Sequence, residues 1–219
     1  MQIPARFNGP PGSGNGGWSA GAFARASGLG GVVEVTLRVP PPLDTDLTYA
    51  APAFHAPDGT TVATLAAVDD AGEAVPPVSF DEAAEVSTAY PGFTGHPFPT
   101  CYVCGPDRAD GLRLFPGHLP DGRTATPWTV PDDVGTETMW AALDCPSGWA
   151  ALHTGRTFVL GRIAARVDAL PAPGTPCVVV GRADAMEGRK AWTRSTVYAP
   201  DGTPLAVARA TWIAVASVH

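Results

Sequence analysis

A chain of 219 residues, 45% hydrophobic and 16% charged, is long and apolar enough to bury one large core or two small ones. Its net charge of −7, from 21 acidic and 14 basic side chains with no basic cluster, argues against general nucleic-acid binding. No apolar run approaches a membrane span, and the opening MQIPARFNGP lacks the charged-then-apolar pattern of a secretion leader. A cytoplasmic location is expected, with Cys101, Cys104, Cys145 and Cys177 as reduced thiols.

The 25 glycines and 24 prolines fall at turn positions without a period, which favours many short strands over long helices. The stretch GSGNGGWSAGAFARASG, Gly12 to Gly28, runs from a glycine-rich turn into small and apolar residues at helical spacing. Either the glycines simply allow a sharp turn into a helix, or the exposed amides of that helix start hold something negatively polarised. Three strand-like segments follow: Gly31–Pro40, alternating Val33, Val35, Leu37 and Val39 with polar residues, then Asp46–Phe54 and Thr60–Gly72. Period-two alternation broken by Pro and Gly predicts an antiparallel sheet with one buried face.

The second half repeats that order. A helical segment at Thr136–Leu152 precedes strand-like stretches at Phe158–Leu170, Pro176–Ala185, Lys190–Gly202 and Pro204–Ala216. Arg38-Val39 has a counterpart in Arg166-Val167, and Asp70-Ala71-Gly72 matches Asp201-Gly202 as a late hairpin turn. The chain is therefore expected to hold two copies of one unit, residues 1–95 and 96–219. The connector Ser87–Thr100, rich in Pro, Gly and aromatics, is expected to pack as ordered chain on a surface.

The stretch CYVCGPDRADGLRLFPG, Cys101 to Gly117, resembles the opening of small hotdog-fold acyl-CoA thioesterases of the phenylacetyl-CoA type, including its Gly-Leu-Arg strand. In that family a His-Gly-Gly turn starts the central helix, and an acidic residue follows seven positions after the second Gly. Here Asp144 takes the acidic position, while Gly135-Thr136-Glu137 stands where the turn belongs. The first copy is the reverse: Asn15-Gly16-Gly17 resembles the turn, and Ala24 stands at the acidic position. The resemblance implies an α+β tandem (double) hotdog, each copy an antiparallel sheet wrapped around a central helix. It also implies one composite site, because such enzymes place helix-start amides of one unit opposite the acid of the other.

On that resemblance the substrate is an acyl-CoA, no separate cofactor or metal is required, and two such chains are expected to be able to pair. The amides near Gly16, Gly17 and Trp18 would bind the developing oxyanion, an effect worth roughly 3–4 kcal/mol per donor, with glycine leaving room for the ligand. Asp144 would be general base or nucleophile, its basicity raised by desolvation; alternatively it caps a segment starting at Pro146. Asn15 either orients the carbonyl or caps the helix, and Glu137 either binds water or suits the helix dipole. Trp18, Phe23 and Trp140 are candidate walls for an acyl chain, or plain core. Arg189, Lys190 and Arg194 are the nearest approach to a basic cluster for the CoA phosphates.

Cys101-x-x-Cys104 lacks the second ligand pair of a structural zinc site, and His96 and His118 stand at no standard spacing, so the two thiols are assigned to packing. No Gly-x-Ser-x-Gly elbow or phosphate loop is present. Two other functions compete: a non-catalytic acyl-CoA or lipid binder, and a hotdog enoyl-CoA hydratase, the latter disfavoured because none of the five histidines lies near Asp144 in the pattern expected of an Asp–His pair.

Overall fold

A computed structural model describes residues 1–152 and 156–215. Among these, ten strands form one antiparallel sheet: β1 (Val32–Leu37), β2 (Thr48–Ala50), β3 (Ala53–His55), β4 (Thr61–Val68), β5 (Gly117–His118), β6 (Thr124–Thr129), β7 (Thr157–Val167), β8 (Pro176–Glu187), β9 (Lys190–Tyr198) and β10 (Pro204–Val215). The order is β2-β3-β4-β1-β7-β10-β9-β8-β6-β5. The two halves of the chain join where β1 pairs with β7, from Val33 opposite Ala165 to Thr36 opposite Arg162. Four helices accompany the sheet: α1 (Gly16–Ser27), α2 (Phe80–Ser87), α3 (Gly92–Gly95) and α4 (Thr136–Leu152).

Local chemistry explains the ends of α1. Asn15 is its N-cap, its side chain accepting the Trp18 N–H at 2.9 Å, and Gly28 closes it in the left-handed conformation at φ 71°. One face of α1 packs on β1, β4 and β7, while α4 touches five strands, β6 to β10. Every residue of α4 from Thr138 to Ala151 is buried, the mark of a helix enclosed on all sides.

The two helices meet at very short range. A Cβ on Gly17 would lie 2.5 Å from Asp144 Cβ and 2.6 Å from the Trp140 carbonyl, and one on Gly21 would lie 2.8 Å from Trp140 Cβ. Gly17 and Gly21, one turn apart, thus form a bare strip on which Trp140 and Asp144, also one turn apart, are seated. This revises the reason for glycine at position 17. It makes room for the second helix, not for a ligand.

Pro146 sits inside α4, where it can supply no N–H to the carbonyl four residues back. The helix nevertheless continues to Leu152, so Asp144 is no cap of a new segment. Neighbouring carbonyls are bonded from outside the backbone ladder: Ser195 Oγ donates to Leu143 O at 2.6 Å, Ser147 Oγ to Asp144 O at 2.9 Å, and Thr124 Oγ1 to Pro146 O at 2.7 Å.

Several expectations need correction. Asp46–Phe54 is not one strand but most of a hairpin, β2 and β3. Asp70–Gly72 is not a hairpin turn, because β4 lies between β1 and β3 and the chain leaves the sheet afterwards. It crosses to the other half, where the Val75 N–H donates to Thr196 Oγ1 at 2.9 Å and α2 packs on β5, β6 and β8. Asp201-Gly202 does connect paired strands, β9 and β10. Gly111-Leu112-Arg113 forms no strand; Arg113 has φ 54°, which breaks the extended run. Strand β6 goes unanticipated because of Pro127, which is tolerated since β5 pairs only with Thr124 and Ala125 and leaves the rest as sheet edge.

Candidate active site

Asp144 lies in the middle of α4 and is 2% exposed. Its Oδ2 accepts the Gly17 N–H at 3.0 Å and Asn15 Nδ2 at 2.9 Å. Its Oδ1 is equally buried and has no partner among the described residues. Burial is the main reason the carboxyl is pushed up to about 7; the Cys101 sulfur adds to the rise, while the bonds from Gly17 and Asn15 pull the other way.

Beside the carboxylate is a cavity of about 50 Å³, enough for a few waters. Asn15 and Gly16 from the start of α1, and Asp144, Cys145, Gly148, Trp149 and Leu152 from α4, all border it. The rest of the wall comes from Gly9 and Pro10, from His96–Phe98, Cys101 and Cys104, and from Phe158–Leu160 and Trp212 of the sheet. Two of these lining residues pack tightly on each other: a Cβ on Gly148 would lie 2.6 Å from the Trp212 ring.

The structure brings together some of the candidate residues and separates others. Asn15, Gly16, Gly17 and Asp144 converge, but the amides near them are not all free. The Gly17 N–H is occupied by Asp144 and the Trp18 N–H by Asn15 Oδ1, so the expected three-amide oxyanion cradle is reduced to Gly16, whose N–H has no partner among the described residues. Trp18 stacks on Phe7 with ring centroids 3.9 Å apart, and Phe23 packs on Phe54 at 4.7 Å. Trp140 is seated over Gly21 and borders a separate groove beside Ala24, where Glu137 is ion-paired with Arg25. None of Trp18, Phe23, Trp140 and Glu137 reaches the Asp144 cavity.

The basic candidates also divide. Arg194 is committed to Asp184 at 2.7 Å and to Glu73 at 3.4 Å, on a different surface of the sheet. Arg189 and Lys190 sit at the turn between β8 and β9, with Arg189 Nε donating to Ala214 O at 3.1 Å; Ala214 is opposite Phe158, one of the cavity walls.

Sequence spacing misses the aromatic walls and the sulfur cluster. Cys145, next to Asp144 in the chain, comes within 4.0 Å of Cys101 Sγ, and the sulfurs of Cys101, Cys104 and Cys145 all lie within 4.8 Å of one another. His96 Nε2 is 3.2 Å from Cys104 Sγ. The assignment of Cys101 and Cys104 to mere packing under the connector therefore overlooks a third thiol and an imidazole arriving from distant segments. The same geometry puts a histidine on the Asp144 cavity, which residue separation had not suggested. Cys101 is the most acidic of the three thiols, held below the ordinary range by hydrogen bonds from Cys104 and Cys145. Among the described residues, no helix is long and apolar enough to cross a membrane.

No family model matches the sequence, and no curated protein matches it. Solved structures do match. A candidate thioesterase from Novosphingobium aromaticivorans is 17% identical over 99% of this chain and 94% of its own, with a TM-score of 0.64. A hot dog-fold protein of unknown function from Alicyclobacillus acidocaldarius is 14% identical over 99% and 92%, at a TM-score of 0.59. A candidate thioesterase II from Thermobifida fusca is 13% identical over 99% and 91%, at 0.57. What these likenesses establish is the architecture: the chain has the hot dog fold, and over 99% of its length it is similar to structures described as candidate thioesterases.

Proposed function

We propose that the chain is a fused pair of hotdog units and that it hydrolyses the thioester of an acyl-CoA in one composite site. Support for the pairing is that α1 packs on β1 and β4, and α4 on β6 to β10, each a helix laid on antiparallel strands, with the two sets joined along β1 and β7. Full-length similarity to a hot dog-fold structure and to two structures described as candidate thioesterases is consistent with it. The single observation that carries the hydrolytic reading is the Asp144 carboxylate: Oδ2 is anchored by the helix start of the other unit, and Oδ1 is left without a partner beside a cavity that Gly16 also borders.

In this reading the thioester oxygen accepts the Gly16 N–H, at the positive end of α1. Asp144 Oδ1 takes a proton from a water whose oxygen bonds to the acyl carbon. The tetrahedral intermediate collapses, the C–S bond breaks, and the departing sulfur receives the proton from Asp144, giving the free acid and CoA. A cavity sized for water favours this over direct attack by the carboxylate. An acyl group is larger than 50 Å³, so substrate entry requires the cavity to widen. The reciprocal site is lost in this scheme: Ala24 replaces the acid, and Glu137 is tied to Arg25.

A hydratase would need a histidine acting with the acid. His96 borders the cavity, but its Nδ1 accepts the Phe98 N–H at 2.8 Å and its Nε2 faces Cys104, so neither nitrogen is offered to a substrate. The test is release of CoA from a panel of acyl-CoAs, followed by chromatography. Wild type is expected to turn over at least one, and Asp144→Asn to lose roughly 100- to 10,000-fold in rate while remaining folded. Acyl-CoA bound without CoA release would establish a binding protein and end the hydrolase reading.

A further inference from the structure

We propose that Cys101, Cys104 and Cys145 form a three-thiolate site for a soft divalent cation of the zinc type. The proposal stands on the sulfur geometry and does not depend on the hydrolase reading. All three sulfurs are buried and lie within 4.8 Å of one another, with Cys101 and Cys145 at 4.0 Å. In a tetrahedral site with zinc–sulfur bonds of about 2.3 Å the sulfurs stand about 3.8 Å apart, so the triangle needs to close by only tenths of an ångström to about one ångström. The ligands come from two places in the fold, the Cys101–Cys104 turn and the middle of α4, which is why ligand spacing along the chain does not reveal them.

Two side chains beside the sulfurs, His96 and Asn15, are hydrogen-bond donors, and the Asp144 carboxyl borders the same cavity. Phe98 N–H donates to His96 Nδ1, which puts the proton of the neutral ring on Nε2, 3.2 Å from Cys104 Sγ. His96 therefore supports a sulfur from outside and is not itself a ligand. Asn15 Nδ2 approaches Cys101 Sγ at 3.8 Å and Cys145 Sγ at 4.0 Å. N–H groups aimed at sulfur stabilise thiolate charge, the role of outer partners around metal-bound ligands. Binding releases the three thiol protons and leaves one net negative charge on the centre. The three cysteines border the same cavity as Asp144, so a fourth position on the cation would be open to water from that side.

The experiment uses the full chain, purified, incubated with zinc and dialysed, with metal counted by mass spectrometry and the zinc shell read by X-ray absorption. One zinc per chain, with three sulfurs at about 2.3 Å, is expected. His96→Ala should keep the three sulfurs and weaken binding by roughly 10- to 100-fold, the cost of an outer partner. Cys145→Ser should weaken it by more than that, whereas Cys177→Ser, altering the thiol outside the cluster, should change nothing. Zinc well below one per chain, a shell of nitrogen and oxygen alone, or equal losses in the Cys145 and Cys177 variants would overturn the proposal. If Cys145→Ser does not fold, the absorption spectrum of the wild type decides the question by itself.

Discussion

Replacing Gly17 by alanine puts one methyl group where two helices already touch. The new Cβ would lie 2.5 Å from Asp144 Cβ, 2.6 Å from the Trp140 carbonyl and 3.1 Å from Asp144 Cγ. None of these atoms is the far end of a flexible side chain, and α4 is enclosed by five strands, so relief must come from moving one helix. Overpacking of this kind costs about 1–3 kcal/mol, and backbone atoms at these distances argue for the upper end. Alanine returns up to about 1 kcal/mol as a better helix former, leaving a net loss of about 2 kcal/mol. For a chain of this length that corresponds to a fall in melting temperature of roughly 4–8 °C. Urea and thermal unfolding of Gly17→Ala should show it, against Gly30→Ala, which meets nothing within 4 Å and should stay within about 0.5 kcal/mol of wild type. If Gly17→Ala unfolds with the wild type, α1 and α4 do not approach as described, and the bond from Gly17 to Asp144 goes with them.

Asn15→Ser keeps an N-cap oxygen for Trp18 but deletes the donor to Asp144; a loss of about 1–2 kcal/mol in denaturant titrations is expected, together with slower hydrolysis of any acyl-CoA the wild type cleaves. Ser195→Ala leaves the Leu143 carbonyl, beside the proline of α4, without its outside donor, and should cost about 1–2 kcal/mol of stability by the same measurement. Gly117→Ala would drive a methyl group to within 1.8 Å of the Val86 carbonyl; α2 should detach from β5, seen as faster amide exchange across Phe80–Ser87.

The parts of the fold that were legible in the sequence are those where local chemistry and burial agree. Val33 and Val35 alternate with polar neighbours because only one face of β1 is covered, and Asn15 followed by glycines and small residues marks a capped helix start. Thr136–Leu152 reads as a helix from its apolar spacing, and in the structure it runs on through Pro146, with Ser195, Ser147 and Thr124 bonding the carbonyls of Leu143, Asp144 and Pro146, contacts that no local pattern displays. Strand β6 and helix α2 escape for the same kind of reason. Pro127 is acceptable only because that part of β6 is an edge, and α2 is fixed by packing on strands 30 or more residues further on in the chain.

The candidate site divides in the same way. Asp144 and the Asn15-Gly16-Gly17 turn are picked out by resemblance to a family motif, yet spacing within one copy gives no hint that Gly17 N–H would be spent on Asp144 itself. Trp18 and Trp140 look like ligand walls by type alone, and tertiary packing turns them to Phe7 and Gly21. The residues that do border the cavity, such as Trp149, Phe158 and Trp212, meet only because β7 and β10 lie side by side against α4. Likewise Cys145 and Cys101, 44 positions apart, become neighbours through the folding of α4 onto the Cys101–Cys104 turn.

The central claim is that a thioester is attacked beside Asp144 with its oxygen held by the start of α1. A crystal structure with a non-hydrolysable acyl-CoA analogue tests it most directly. The carbonyl oxygen is expected within hydrogen-bond distance of the Gly16 N–H, with the Asp144 carboxylate facing the acyl carbon across one water. An analogue bound elsewhere, or one seated here with its carbonyl turned away from both groups, would contradict it.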